Sequence, residues 1–293
     1  MDFASLQVFK AVADEGGISP AARKLHRVQS NVTTRIQHLE ASLGTQLFVR
    51  EKRRLHLSPA GQVFLQYAEQ MLRLAGEARN ALAGDAPRGV LRIGTLESTA
   101  ASRLPPLLAR YHAAHPAVAV ELVTGTTDAL VEAVLGRRIE AAFVADCKPS
   151  ARLETMPAFC EELVLVAPRS HPAVRRAADV RADTLIVFPT GCAYRRRLQG
   201  WLGEDGVVPD KVLELASYHA IVACVASGAG IGIVPRSVLE TIRRDEGIAV
   251  YSLGREKAAS TTALAWRKGE LSPPLKALQA AVAAIRTPAR RPR

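Results

Sequence analysis

Residues 18–57 read ISPAARKLHRVQSNVTTRIQHLEASLGTQLFVREKRRLHL, and the reading of the whole chain turns on them. Ser19 and Pro20 suit an N-cap and a first helical position, and Ala21, Ala22 and Leu25 give a short helix a small apolar face. A second helical pattern follows at once, with Val32, Ile36, Leu39 and Leu43 recurring at spacings of four, three and four. Its other face holds Gln29, Ser30, Asn31, Thr33, Thr34, Arg35, Gln37 and His38. These are short donors and acceptors with one guanidinium, a set able to address base edges in a major groove. Gly44 predicts a left-handed helix stop. Arg50, Lys52, Arg53 and Arg54 then fall on a basic hairpin suited to gripping phosphates. Short helix, tight turn, longer helix and hairpin is the order of a winged helix-turn-helix. A polar helix face alone is usually just a solvated face. The turn, the Gln/Ser/Asn/Thr run, the glycine stop and the basic hairpin together point to duplex DNA.

The same residues carry a family resemblance. Ala21-Ala22-x-x-Leu25, Gln29-Ser30-Asn31-Val32-Thr33, Ile36-x-x-Leu39-Glu40, Leu43-Gly44-x-x-Leu47-Phe48-x-Arg50 and Leu57-Ser58-Pro59-Ala60-Gly61 resemble the signature of LysR-type transcriptional regulators. Asn31 and Thr33 stand where that signature usually has Ala and Ser, and Ser58 where it usually has Thr. The resemblance implies a multi-domain α+β chain: a winged helix-turn-helix, a long linker helix, and a C-terminal α/β effector domain of two subdomains, similar to a type 2 periplasmic binding protein. It also implies a homo-oligomer, a dimer of dimers, on double-stranded promoter DNA.

At 293 residues the chain has room for two or three domains. A net charge of +11 suits an anionic partner. That charge is spread out, since residues 1–60 hold nine Lys/Arg against five Asp/Glu. Cys147, Cys160, Cys192 and Cys224 show neither CxxC spacing nor nearby histidines, so no metal, cofactor or disulfide framework is expected. The N-terminal MDFASLQVFKAVADEGG is an amphipathic helix rather than a signal peptide, and no run of 18 apolar residues occurs. A cytoplasmic protein without a membrane partner is expected.

Phe3, Leu6, Phe9 and Val12 share one face of a first helix over 3–15, stopped by Gly16-Gly17. Pro59 opens a helix to about Ala83 whose Val63, Leu65, Met71, Leu72, Leu74 and Leu82 exceed what a lone linker buries. This predicts a dimerisation helix. Domain boundaries follow: 1–58 for DNA binding, 59–87 for linker and hinge, and 88–293 for the effector domain, with subdomain I at about 88–163 and 265–293 and subdomain II at about 164–264. From Val90 onward apolar strand runs alternate with helices (VLRIGTL, VAVELVTG, IEAAFVAD, LVLVAP, TLIVFPTG, VLELAS, GIGIVP, TTALAWRKG), predicting parallel sheets covered on both faces.

In open α/β sheets ligands sit beyond the carboxyl ends of strands, against helix starts. Leu96-Glu97-Ser98-Thr99, Gly125-Thr126-Thr127, Thr190-Gly191-Cys192-Ala193-Tyr194-Arg195 and Ser217-Tyr218-His219 all fit that rule. Ser98, Thr99, Thr126, Thr127, Cys192, Tyr194, Arg195, Tyr218 and His219 are therefore the expected effector contacts. Ordinary N-capping explains any one of them; their convergence favours a small-molecule site. LESTAASRLP, GCAYRRRLQGWL and SYHAIVACVASGAGIGIVPRS resemble more narrowly the putrescine-utilisation branch of the family. A diamine would seek carboxylates, the nearest being Glu97 and Asp146, whereas helix starts favour a small carboxylate. Cys192 beside Arg195 also admits a thiol-based redox sensor, and a solute-binding receptor without DNA binding is a further alternative. An enzyme is not expected, because GxSxG, P-loop, HExxH and dinucleotide fingerprints are all missing from the sequence.

Overall fold

The computed structural model describes residues 1–51, 54–82, 86–180, 184–242 and 247–286. It divides into two compact units, Met1–Asp85 and Ala86–Arg293. The first comprises α1 (Phe3–Glu15), α2 (Ile18–Lys24), α3 (Gln29–Leu43), the antiparallel hairpin β1 (Phe48–Glu51) and β2 (Arg54–Leu57), and α4 (Pro59–Leu82). Asp2 caps α1 by accepting the Ser5 amide at 2.7 Å. The second helix begins one residue before the predicted cap, with Gly17 as N-cap, so Ser19 and Pro20 lie inside its first turn. Proline fits there because a first-turn amide has no helical acceptor.

One core closes this unit: Leu6, Phe9, Val12, Ala21, Ala22, Val32, Ile36, Leu39, Leu47 and Ala68 are all buried. Phe9 packs against Phe48 and Phe64, with ring centroids 5.3 and 5.0 Å apart. Two polar side chains explain signature positions that hydrophobicity cannot. Glu40 takes the amides of Leu47 (2.7 Å) and Phe48 (3.1 Å), pinning the loop after α3 to the hairpin. Ser58 caps α4 by accepting the Gly61 amide at 2.9 Å and donates to the Gln46 carbonyl at 2.7 Å. A Cβ on Gly61 would stand 2.0 Å from the Leu47 carbonyl oxygen, so only glycine fits that turn. Ser58→Ala is expected to remove about 1–2 kcal/mol of stability through the lost cap. Urea denaturation followed by circular dichroism should show an earlier first-unit transition with unchanged slope.

The second unit is a nine-stranded sheet with helices on it. Its elements are β3 (Gly89–Thr95), α5 (Glu97–Ser102), α6 (Leu104–Ala114), β4 (Val118–Thr124), α7 (Thr127–Leu135), β5 (Ala141–Ala145), β6 (Leu153–Pro168), β7 (Thr184–Val187), α8 (Ala193–Glu204), β8 (Lys211–Glu214), α9 (Tyr218–Ala226), β9 (Ile231–Pro235), α10 (Arg236–Leu239), β10 (Ile248–Ser252), α11 (Arg255–Ala258), β11 (Ala259–Arg267) and α12 (Pro273–Arg286). The order is β4-β3-β5-β11-β6-β9-β7-β8, with β10 also on β6. Parallel pairs occur within each half, β3 with β4 and β5, and β7 with β8 and β9. The sheet as a whole is mixed, which corrects the all-parallel expectation, because β6, β10 and β11 run antiparallel to their neighbours. Sixteen-residue β6 joins the halves: its first part pairs with β11 and its last six residues with β9 and β10.

Candidate functional site

Helix α3 buries Val32, Ile36 and Leu39 against the first unit's core, which leaves its polar face outward. Gln29, Ser30, Asn31 and Thr34 are exposed, as is Arg50 on β1. Gly44 adopts φ 65°, ending α3 in the left-handed conformation the sequence predicts. A groove of about 670 Å³ runs along this face, bordered by Ser30, Asn31, Thr34, Arg35, His38 and Asp2. Two side chains are engaged within the unit. Thr33 donates its hydroxyl to the Gln29 carbonyl at 3.0 Å, and Arg35 lies 3.4 Å from the Asp2 carboxylate. That pair is exposed to solvent, so a phosphate can take the guanidinium at little cost. Arg53 lies outside the described residues, and of Arg54 only the strand backbone is described.

The long helix α4 turns Phe64, Leu65, Met71 and Leu72 towards the unit's core. Val63, Tyr67 and Leu74, each 59% exposed, lie along a different side at spacings of four and seven. Residues so spaced share one side of the helix and span about 16 Å of its roughly 36 Å length.

In the second unit the carboxyl ends of β3, β4, β7 and β8 and the helix starts that follow them surround a small cavity. It is lined by Leu96, Glu97, Gly125, Thr126, Thr127 and Ala145 on one side and Phe188, Cys192, Ala193, Tyr194 and Tyr218 on the other. Its volume of about 10 Å³ holds about one water. The two halves are latched across it. Arg196 binds Asp128 at 2.9 Å, Arg197 makes a two-pronged pair with Asp146 at 2.6 and 2.9 Å, and the Asp128 amide donates to the Gly191 carbonyl at 3.4 Å. Gly191 sits at φ 93°, and a Cβ there would come 2.9 Å from the Thr126 hydroxyl, so the loop approaches this closely only as glycine.

Of the nine predicted effector contacts, Thr126, Thr127, Cys192, Tyr194 and Tyr218 meet on the cavity wall. Ser98 and Thr99 are buried at the start of α5. Arg195 turns away to Glu214 and the Phe188 carbonyl, and His219 is exposed. Each of the three consecutive guanidiniums meets a carboxylate, the Arg196–Asp128 pair being exposed to solvent. Phe188 and Ala145 escaped the sequence reading, although both lie at strand ends where the general rule would place lining residues.

The hydroxyls of Ser98, Thr99, Tyr194 and Thr262 are buried without a well-formed hydrogen bond among the described residues, as is Glu97 Oε2. Ser98 and Thr262 flank the Tyr194 phenol. Burial raises the Glu97 pKa above the ordinary carboxylate value, against the opposing pull of the Tyr218 amide and the nearby His219. Folding therefore favours protonated Glu97, and its ionisation costs stability as pH climbs from the unfolded pKa through the higher folded one. Glu97→Gln should abolish that fall, read as melting temperature against pH for variant and parent. Burial likewise raises the Cys192 thiol pKa, outweighing the Arg195 and Arg196 charges and adjacent amides. A thiol kept protonated is a poor nucleophile, which counts against peroxide sensing there.

Among the described residues no helix is long and apolar enough to cross a membrane, and no three metal-ligating side chains cluster. Residues 3–62 match the family described as bacterial regulatory helix-turn-helix protein, lysR family, and residues 84–286 match the LysR substrate binding domain. The chain belongs to the LysR family. It is a transcriptional regulator with a DNA-binding and an effector-binding domain. It is 40% identical to the transcriptional regulator GltR of Bacillus subtilis, over 94% of this chain and 93% of that one. Full-length CbnR, a LysR family regulator solved in complex with its target DNA, superposes with a TM-score of 0.72 at 30% identity, covering 97% of this chain and 99% of that one. OxyR of Pseudomonas aeruginosa, at 23% identity over 98% of this chain and 95% of that one and a TM-score of 0.68, shares the fold.

Proposed function

We propose that this LysR-family chain is a ligand-responsive switch on promoter DNA, with α3 entering the major groove and a small carboxylate as effector in the second-unit cleft. The observation that carries the DNA half is the outward Gln29, Ser30, Asn31 and Thr34 over buried Val32, Ile36 and Leu39. Ser30 and Thr34 read base edges, while Arg35, Arg50, Arg53 and Arg54 hold phosphates. Two copies pair through the α4 stripe, placing two heads in successive major grooves roughly 34 Å apart, and two such dimers assemble on a longer site. CbnR, captured on its target DNA, supports this use of the fold.

In the cleft, hydroxyls and helix starts favour an anion. A diamine finds only one of its two candidate carboxylates there, Glu97, because Asp146 is committed to Arg197. A cavity that holds about one water in the latched form must open to take any metabolite. Opening separates α8 from Asp128 and Asp146, and a ligand that prefers one arrangement shifts the population accordingly. Selection of binding sites from a random duplex library tests the DNA half. The expected result is a motif of two half-sites, spaced by whole helical turns, whose affinity changes with effector. Failure to enrich any sequence above non-specific binding would favour the solute-receptor alternative.

A further inference from the structure

Glu97 is the one charged side chain on the cavity wall among the described residues. Its Oε1 accepts a single long hydrogen bond from the Tyr218 amide at 3.4 Å, and Oε2 is buried with no partner. The rings of Phe188 and Tyr218, packed on one another with centroids 4.5 Å apart and planes tilted by 39°, also line the cavity. A carboxylate oxygen buried without a partner, in a wall that also holds aromatic rings, suits an ammonium group.

The opposite chemistry lies across the cavity. Twelve-residue α8 starts at Ala193 with no well-formed side-chain cap, and only the Cys192 sulfur, a weak acceptor, faces its Tyr194 and Arg195 amides, which an anion can take over. Tyr194, 2% exposed, lines the cavity, and its hydroxyl is without a well-formed partner. Thr126 adds a hydroxyl. The three arginines that could have served a carboxylate are taken by Glu214, Asp128 and Asp146. The anionic half of the site is thus made of amides and hydroxyls, which suit one carboxylate rather than two. A simple acid would also face the negative Glu97, and a simple amine would leave the α8 end unmatched.

We propose that the effector is a compact zwitterionic α-amino acid, its ammonium on Glu97 at the edge of the Phe188–Tyr218 ring pair and its carboxylate at the α8 start. The proposal deepens the cleft reading above and rests on it. Binding gives the Glu97 carboxylate a cationic partner and leaves the ligand carboxylate to the amides and dipole at the α8 start.

Calorimetric titration of the intact protein with each proteinogenic amino acid, its 2-hydroxy acid and its decarboxylated amine tests this. At least one amino acid should bind at least about tenfold tighter than both of its analogues, the value of one buried charged hydrogen bond. Glu97→Gln should weaken that amino acid by about tenfold or more while leaving the 2-hydroxy acid unchanged or tighter. Repeating the titration in buffers of different ionisation heat at mildly acid pH should show protons released on binding. Proton uptake would mean that protonated Glu97 donates to a carboxylate. Thr126→Trp, or Ala193→Phe from the other wall should the first not fold, should abolish binding by filling the cleft. No binding by any amino acid, a 2-hydroxy acid that matches the amino acid, or an indifferent Glu97→Gln overturns the proposal. A 2-hydroxy acid that binds tightly and is lost on filling the cleft leaves the effector site standing without the amino acid. Binding untouched by filling the cleft sinks both.

Discussion

Replacing Tyr67 and Leu74 of α4 together with aspartate is expected to leave each first unit folded and to lower operator affinity by about a hundred- to ten-thousandfold. Both side chains are 59% exposed, so their loss removes little packing within the protomer. They lie with Val63 along one stripe, and apolar residues at such spacing on a long helix are the seam of a helix pair. Four carboxylates facing one another across that seam would repel and lose the burial that draws two chains together. A DNA-binding head that acts alone forfeits the effective concentration that a tethered second head provides, which accounts for the magnitude. Sedimentation and a fluorescence titration of one duplex give the answer together. If the double variant sediments with the parent and binds equally well, the stripe is not the dimer contact.

The second large effect separates two kinds of contact on α3. Thr34→Ala is expected to relax sequence choice at one base pair by about 1–3 kcal/mol, with little change in affinity for unrelated DNA. Arg35→Ala should weaken all sequences alike and reduce the salt slope by about one unit. Thr34 is exposed on the groove with its neighbours Ser30 and Asn31, whereas Arg35 reaches back towards Asp2 at the groove's edge. A Thr34→Ala protein with an unaltered preferred motif, or an Arg35→Ala protein with the parental salt slope, would reverse or remove these roles.

Several features of the second unit show where reading by sequence runs out. Periodicity finds β5 and β9 because every one of their residues is buried, so each reads as an unbroken apolar run. It misses β10, with no fully buried residue, and the first half of β6, where buried and exposed positions mix and pairing with β11 supplies the order. The cleft was found in part. Thr126, Cys192 and Tyr218 lie in the short loops and helix starts after strands, which the strand-end rule captures, whereas Tyr194 is one of several residues in a helix start, and its burial on the cavity wall singles it out.

The sequence by itself determined the first unit. The spacing of Val32, Ile36 and Leu39, the stop at Gly44, the Glu40 anchor and the Ser58-to-Gly61 cap act over one helical turn or one short loop, so the code for them is local. Only the tertiary structure decided what Arg195, Arg196 and Arg197 do. Their partners Glu214, Asp128 and Asp146 lie 19, 68 and 51 residues away along the chain. An ion pair depends on approach in space to within a few ångströms, and for Arg196 and Arg197 that approach brings the two halves of the unit together, which no local window of residues encodes.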